Sequence, residues 1–303
     1  MKLLGVEAID VCGLPSGVYS FAKAPALAYD RVLITGGPGS GKTRLLELIV
    51  AAREVLVPDD DMGPHDSLVM RGNSNSKAIL AWLLTDEERA TIGAPGLVVS
   101  TEVIFGERSA AEDVDPGVAF LLQRYGHDDL TPKLEYFSER RWLEFGGGEL
   151  SLDENVQMGL RARDDPRKFA WIPSFLARLP NRPREATRFT SLVERFSPTC
   201  SYDPQRHVLT SQSRALRGLA ELSASEADAV MFAATAALVG LSQSIVLVDR
   251  PELHGIEPAR ALSGLSELGV DNQLIMTTSH PALAQSFDGA VIQLDSTAPR
   301  GVE

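Results

Sequence analysis

The stretch Gly36-Gly37-Pro38-Gly39-Ser40-Gly41-Lys42-Thr43 constrains this chain more than any other. It is a glycine, four residues, then Gly-Lys-Thr, the full P-loop pattern, which needs a strand before it and a helix after it. The sequence supplies both. Arg31-Val32-Leu33-Ile34-Thr35 is an apolar, β-branched run suited to a buried strand, and residues 42–54 place Leu45, Leu46, Leu48, Ile49 and Ala52 on one helical face. Glycines let backbone N–H groups curl round a β-phosphate, and the loop delivers that phosphate to the positive end of the helix. The pattern assigns Lys42 to the β- and γ-phosphates and the Thr43 hydroxyl to Mg²⁺, so ATP and Mg²⁺ are the expected ligands of residues 36–43. The competing reading, a Gly-rich turn that happens to contain a lysine, leaves the flanking elements unexplained.

The chain has 303 residues, 44% of them hydrophobic, enough for a sizeable buried core. Cys12 and Cys200 cannot make a disulfide framework, no charged-then-apolar signal segment opens the chain, and no apolar run approaches bilayer length. A cytoplasmic, reducing address with no membrane partner is the expectation. A formal charge of −12 argues against coating nucleic acid with the whole surface, and leaves room for a local basic face.

Ahead of the P-loop, residues 2–10 and 17–21 read as strands of a small antiparallel flank, with Tyr19 and Phe21 as core aromatics rather than an adenine platform. Asp59, Asp60 and Asp61 lie in a turn-rich loop without calcium-loop spacing and read as solvated. Residues 77–84 and 97–105 predict strands joined by an acidic turn at 86–88, residues 118–125 a helix, and residues 133–137 a strand ending at Arg140 and Arg141. Residues 161–195 carry nine Arg and Lys side chains and are cut by Pro166, Pro173, Pro180 and Pro183. With no interleaved aromatics to stack bases, this reads as a helical insertion whose arginines pair with acids, ahead of a nucleic-acid surface. From residue 201 the order is a strand at 207–210, an alanine-rich helix at 227–239 stopped by Gly240, a strand at 244–249, a helix at 259–268, a strand at 273–278, a short helix at 282–287 and a strand at 290–294. Such alternation predicts a parallel sheet covered on both faces.

A P-loop site needs a second acid on the Mg²⁺ water shell, at the carboxyl end of a buried strand. Ser244-Ile245-Val246-Leu247-Val248-Asp249 fits, making Asp249 the Walker B candidate. Asp249-Arg250-Pro251-Glu252-Leu253-His254 resembles the Asp-Glu-Pro-Glu-Leu-His signature of ABC-type ATPases in the branch of RecF, SMC proteins and OLD-like phage-defence ATPases. Leu222-Ser223-Ala224-Ser225-Glu226 is similar to that family's Leu-Ser-Ser-Gly-Glu loop, and Ser223 with Glu226 also spells a helix-capping box. Lys2-Leu3-Leu4-Gly5-Val6, Leu14-Pro15-Ser16-Gly17-Val18 and Thr277-Thr278-Ser279-His280-Pro281 resemble its opening strand, its first turn and its switch-histidine region.

The resemblance implies an ABC-ATPase-type α/β fold. Its parts would be a mostly parallel sheet, an antiparallel flank and a helical insertion at about 110–199 between nucleotide-binding lobes at about 1–109 and 200–303, all in one domain. It implies ATP sandwiched between two chains, with Ser223 and Ser225 reaching the partner's nucleotide, and work on a protein effector or DNA in phage defence or genome maintenance. Three departures bear on hydrolysis. Arg250 replaces the glutamate that activates water, and a guanidinium cannot act as a general base. Ser225 replaces the signature glycine, and His280 falls one residue later than the usual switch histidine. Glu252 substitutes as base only if its loop rearranges. The alternative is therefore a hydrolysis-deficient ATP-binding regulator or scaffold; the nucleotide-binding subunit of a transporter ranks below it, since no sensing glutamine stands out.

Overall fold

The computed structural model describes residues 1–58, 65–106, 109–112, 116–143, 151–212, 214–216, 218–285 and 287–294. The acids at Asp59, Asp60 and Asp61 lie outside the described residues. The first elements are β1 (Lys2–Ile9), β2 (Gly17–Ser20), β3 (Ala22–Ala24), β4 (Leu27–Ala28), β5 (Arg31–Gly36), α1 (Lys42–Leu56), β6 (Asn75–Leu83), α2 (Asp86–Ile92), β7 (Val98–Gly106), β8 (Ala110–Glu112) and α3 (Pro116–Gln123). There follow β9 (Leu134–Phe137), α4 (Glu154–Leu160), α5 (Ile172–Arg178), α6 (Pro183–Phe196), β10 (Cys200–Asp203), β11 (Val208–Ser211) and β12 (Arg214–Ala215). The last are α7 (Ala224–Val239), β13 (Ile245–Val248), α8 (Pro258–Ser266), β14 (Gln273–Thr278), α9 (Pro281–Gln285) and β15 (Ala290–Leu294). The architecture is α/β, with parallel strand pairs, an antiparallel flank and a mainly helical stretch from α3 to α6.

Two compact units divide the chain: residues 1–124 with 275–303, and residues 125–274. In the first unit β5 pairs parallel with β15, level from Val32 and Ala290 to Gly36 and Leu294. A separate antiparallel sheet runs β2-β1-β6-β7-β8. Its interior follows from period-two alternation: Ser76, Ala78, Leu80 and Trp82 of β6 all point inward. Trp82 buries its whole ring and donates its indole N–H to Thr101 Oγ1 at 2.9 Å, so the large apolar body carries no orphan donor. Helix α1 packs against strands of this unit and α3, burying Val50, Ala51, Val55 and Leu56 beyond the single face its sequence suggests.

One local reading is corrected. Residues 86–88 are the first turn of α2, not a loop: Thr85 Oγ1 accepts from Glu88 N at 3.1 Å, and the Glu88 carboxylate accepts from Thr85 N at 2.8 Å. Reciprocal capping satisfies two free N–H groups and starts a helix where charge density alone suggested a turn.

In the second unit β9 and β13 pair in parallel, and β10, β11 and β12 form an antiparallel sheet. Helix α7 is buried almost along its whole length, with the Phe232 ring 4.7 Å from that of Phe137 and 5.0 Å from that of Phe196. Gly240 ends it with φ 71°, where a Cβ would meet Asp128 O at 2.4 Å. The arginine-rich stretch pairs with acids both inside and outside it: Arg161 with Glu135, Arg167 with Asp165, Arg178 with Glu185, Arg188 with Asp129 and Arg195 with Glu267. Lys168 sits 2.6 Å from Glu135; burial lowers its pKa to about 8 against the raising effect of that carboxylate. Among the described residues no helix is long and apolar enough to cross a membrane.

Candidate functional site

In the first unit, β5 runs straight into the P-loop and α1 leaves it. Gly36, Gly39 and Gly41 have φ of 152°, 74° and 94°, conformations L side chains rarely adopt. The glycines divide into two kinds. A Cβ on Gly36 would meet Leu294 O at 2.3 Å and one on Gly41 would meet Gly13 O at 2.6 Å, so these two are needed for packing. A Cβ on Gly37 or Gly39 would meet nothing within 4 Å; these two, with Pro38, are exposed and border open space. The loop is stiff on its protein side and bare on the other.

Helix α1 starts at that bare side with no side-chain cap and no acid in its first turn. A helix start of this kind suits an anion, to which the dipole adds positive potential. Lys42 is buried and folds back over the loop, donating to Gly36 O at 2.9 Å and Gly37 O at 2.8 Å, with Ser40 Oγ at 3.5 Å. Thr43 is half-buried at the second helical position. A backbone cradle, a helix start without an acid and a lysine already at the loop fit a polyphosphate; a hydroxyl in the first turn suits Mg²⁺. In the same unit His280 is exposed just after β14, its N–H donating to the Thr278 hydroxyl at 2.9 Å.

In the second unit, β13 is buried throughout and ends at Asp249, whose residue is fully buried and whose N–H donates to Phe137 O at 2.8 Å. The turn beyond it holds Arg250, Glu252 and His254, closed by Leu253 N to Arg250 O at 3.0 Å and Gly255 N to Glu252 O at 3.1 Å. Arg250 has φ 48°, a costly conformation for a non-glycine residue, and its guanidinium lies 3.6 Å from Glu139.

What holds this turn is Arg141, 1% exposed. Its Nε and Nη2 grip the Asp228 carboxylate at 3.1 and 2.9 Å; its Nη1 donates to Ser138 O at 2.8 Å and Asp249 O at 2.7 Å; its Nη2 also donates to Arg250 O at 3.0 Å. Every guanidinium N–H has an acceptor, the condition for tolerating a buried ion pair. Asp228, on α7, takes His254 Nδ1 on its other side at 2.9 Å. The guanidinium also stands over the Phe232 ring at 5.3 Å. One buried cation thus ties α7 to the backbone of the Asp249 turn.

At the other end of α7, Ser223 caps the helix. Its hydroxyl donates to Glu226 Oε2 at 2.8 Å and its N–H to the same oxygen at 3.0 Å, while Ser225 Oγ lies 3.4 Å from Ser223 Oγ. Burial would raise the Glu226 pKa; bonds from Ser211, Ser223 and Thr199 outweigh it and lower the pKa, so the capping carboxylate is ionised at neutral pH. Ser223 is exposed at an uncovered helix start.

Each unit thus gathers its own share of the candidate residues: residues 36–43 and His280 in the first, Asp249, Glu252, Ser223 and Ser225 in the second. Sequence reading missed Arg141, Asp228 and Glu139. Asp228 left a signal: an acid inside an alanine-rich apolar helix requires a buried cation. Nothing local announced Arg141.

No protein-family model and no curated protein matches the chain. Solved structures do. An SMC head bound to the C-terminal winged-helix domain of ScpA is similar with a TM-score of 0.61 and 13% identity, over 97% of this chain and 94% of that one. RecF, a recombination mediator protein, determined with ATP, is similar with a TM-score of 0.50 and 10% identity, over 97% of each chain. At such identities the likeness shows a shared fold: this chain has the fold of SMC heads and RecF, the non-transporter ABC-type P-loop ATPases that its motifs resemble.

Proposed function

We propose that this protein is an ATP-binding ABC-type ATPase whose nucleotide state governs its dimerisation and its assembly with a protein or DNA partner. The observation that carries this reading is the P-loop cradle, in which Gly37 and Gly39 face open space beside an uncapped α1 and Lys42 lies across the loop. The amides of residues 36–43 and Lys42 hold the phosphates. The family pattern assigns Mg²⁺ to Thr43 and, separately, to Asp249, and the ion would neutralise charge that develops on the phosphates. Ser223 and Ser225, at an exposed helix start, meet the nucleotide of a second chain, and His280 senses the γ-phosphate. An address in the cytoplasm and a role in phage defence or genome maintenance rest on the resemblance to RecF and SMC proteins alone.

One observation favours a second reading. Arg250 stands where the family carries its catalytic glutamate, which points to a protein that binds ATP and holds a complex together without turnover. Pairing of the arginine-rich stretch with acids weighs toward a protein partner over DNA.

The test is ATP affinity, molecular mass and phosphate release for wild type against Lys42→Ala, with and without DNA. Under the first reading wild type binds ATP, gains mass with it and turns over, and Lys42→Ala loses all three. Under the second, wild type matches Lys42→Ala in turnover while exceeding it in affinity and ATP-dependent mass. Equal ATP affinity in the two proteins rejects both.

A further inference from the structure

The unit of residues 125–274 holds a cleft of about 520 Å³, within the range of pockets that enclose small organic molecules. One wall is α6. Pro183, Ala186, Thr187, Thr190 and Glu194 recur at helical spacing along one side of it, while Phe189, Leu192, Val193 and Phe196 of the same helix are buried. The rest of the lining comes from Leu179 and Pro180, in the single turn of residues 179–181, and from Tyr202, Pro204 and His207 of the β10–β11 hairpin.

The backbone of these walls is set without a ligand. His207 N donates to Asp203 O at 2.8 Å, and the Asp203 carboxylate accepts from Gln205 N at 2.9 Å and Arg206 N at 3.1 Å, which fixes the hairpin end. Arg182 N donates to Leu179 O at 2.9 Å ahead of α6. On α6 the Thr187 and Thr190 hydroxyls donate to Pro183 O at 2.9 Å and Ala186 O at 2.8 Å, so both of their protons are spent.

One donor in the lining is not spent. Tyr202 is 3% exposed, its ring lies 5.8 Å from that of Phe189, and its hydroxyl is buried with no hydrogen-bond partner among the described residues. A buried hydroxyl without a partner is costly, and in the wall of a cleft it marks where an acceptor on a ligand would restore the missing bond. Burial, and then Asp203, raise the phenol pKa, so the group keeps its proton at neutral pH. Among the described residues of the lining there is no lysine or arginine, which disfavours phosphates and other polyanions. The one carboxylate there, Glu194, already accepts from Ser201 Oγ at 2.7 Å. Leu179, Pro180, Pro183, Ala186, Pro204 and the Tyr202 ring make the remainder mainly apolar.

We propose that this cleft binds an uncharged small organic molecule with an apolar body and a carbonyl-type oxygen, the oxygen accepting from the Tyr202 hydroxyl. The site is built from residues of one unit and does not depend on ATP binding.

The experiment titrates benzamide, and separately toluene, into wild type, Tyr202→Phe and Ala186→Leu, following the methyl NMR signals of Thr187 and Thr190. In wild type, benzamide at millimolar concentration should shift both signals saturably. Tyr202→Phe should weaken benzamide about 3- to 10-fold, the worth of one hydrogen bond, and leave toluene unchanged. Ala186→Leu, which fills the cleft from α6, should abolish binding of both. With no ligand added, Tyr202→Phe should unfold at the wild-type denaturant midpoint or above it, because the lost donor had no partner. Benzamide that leaves both methyl signals in place overturns the proposal. So does equal benzamide affinity in wild type and Tyr202→Phe, or binding that survives Ala186→Leu. A Tyr202→Phe midpoint below wild type also overturns it, since that marks the hydroxyl as bonded within the protein.

Discussion

In the P-loop, conformation is held by glycines and a lysine inside eight residues, two of the glycines seated against Leu294 O and Gly13 O. The turn after β13 closes on two backbone bonds of its own, yet the Asp249 and Arg250 carbonyls are also held by Arg141, 108 residues before Asp249. The first stretch depends on what its residues lack, namely Cβ atoms; the second depends on a full set of buried polar bonds. The first should yield to small steric changes. The second should yield to the loss of one charge, with damage spreading to every group that charge had satisfied.

The largest effect expected from this contrast is at Arg141. Arg141→Met leaves the fully buried Asp228 carboxylate without its cation and should cost about 3–5 kcal/mol in chemical denaturation. If Arg141→Met unfolds at the wild-type denaturant midpoint, the turn is not held from afar. Next is Gly41→Ala, where a Cβ at φ 94° would meet Gly13 O at 2.6 Å; a loss of about 2–3 kcal/mol is expected. Gly37→Ala sharpens the same point, because its Cβ meets nothing: stability should stay within about 0.5 kcal/mol while ATP affinity, read by titration calorimetry, falls. Equal destabilisation by the two alanines would remove the distinction between packing and ligand-facing glycines. Smallest is Ser223→Ala, which removes a helix cap at a cost of about 1 kcal/mol, measured as a denaturant-midpoint shift.

Legibility in the sequence follows the same division. The strand, loop and helix around residues 31–56, the Gly240 stop and the Ser223 capping box were all readable, because each is set by residues within one or two turns of each other. The Thr85 and Glu88 box is equally local and was obscured by its neighbouring acids. Of the second unit's site, Asp249 was readable because a buried apolar run ending in an acid stays in order along the chain. Arg141 and Glu139 were not, since Arg141 meets Asp228 and the Asp249 and Arg250 carbonyls and Glu139 meets Arg250, all distant along the chain. The arginine-rich stretch shows the same limit: its composition was plain, while partners as distant as Asp129 and Glu267 came only with the fold.

The seat of Gly36 has a bearing on how the protein is made. Its missing Cβ leaves room for Leu294 O, on the β15 side of β5. During synthesis, the phosphate loop emerges early but waits for some two hundred and fifty further residues before that wall exists. A nascent chain therefore carries the complete P-loop motif well before the strand that backs Gly36 has been made. The packing side of the P-loop is in this sense completed by β15.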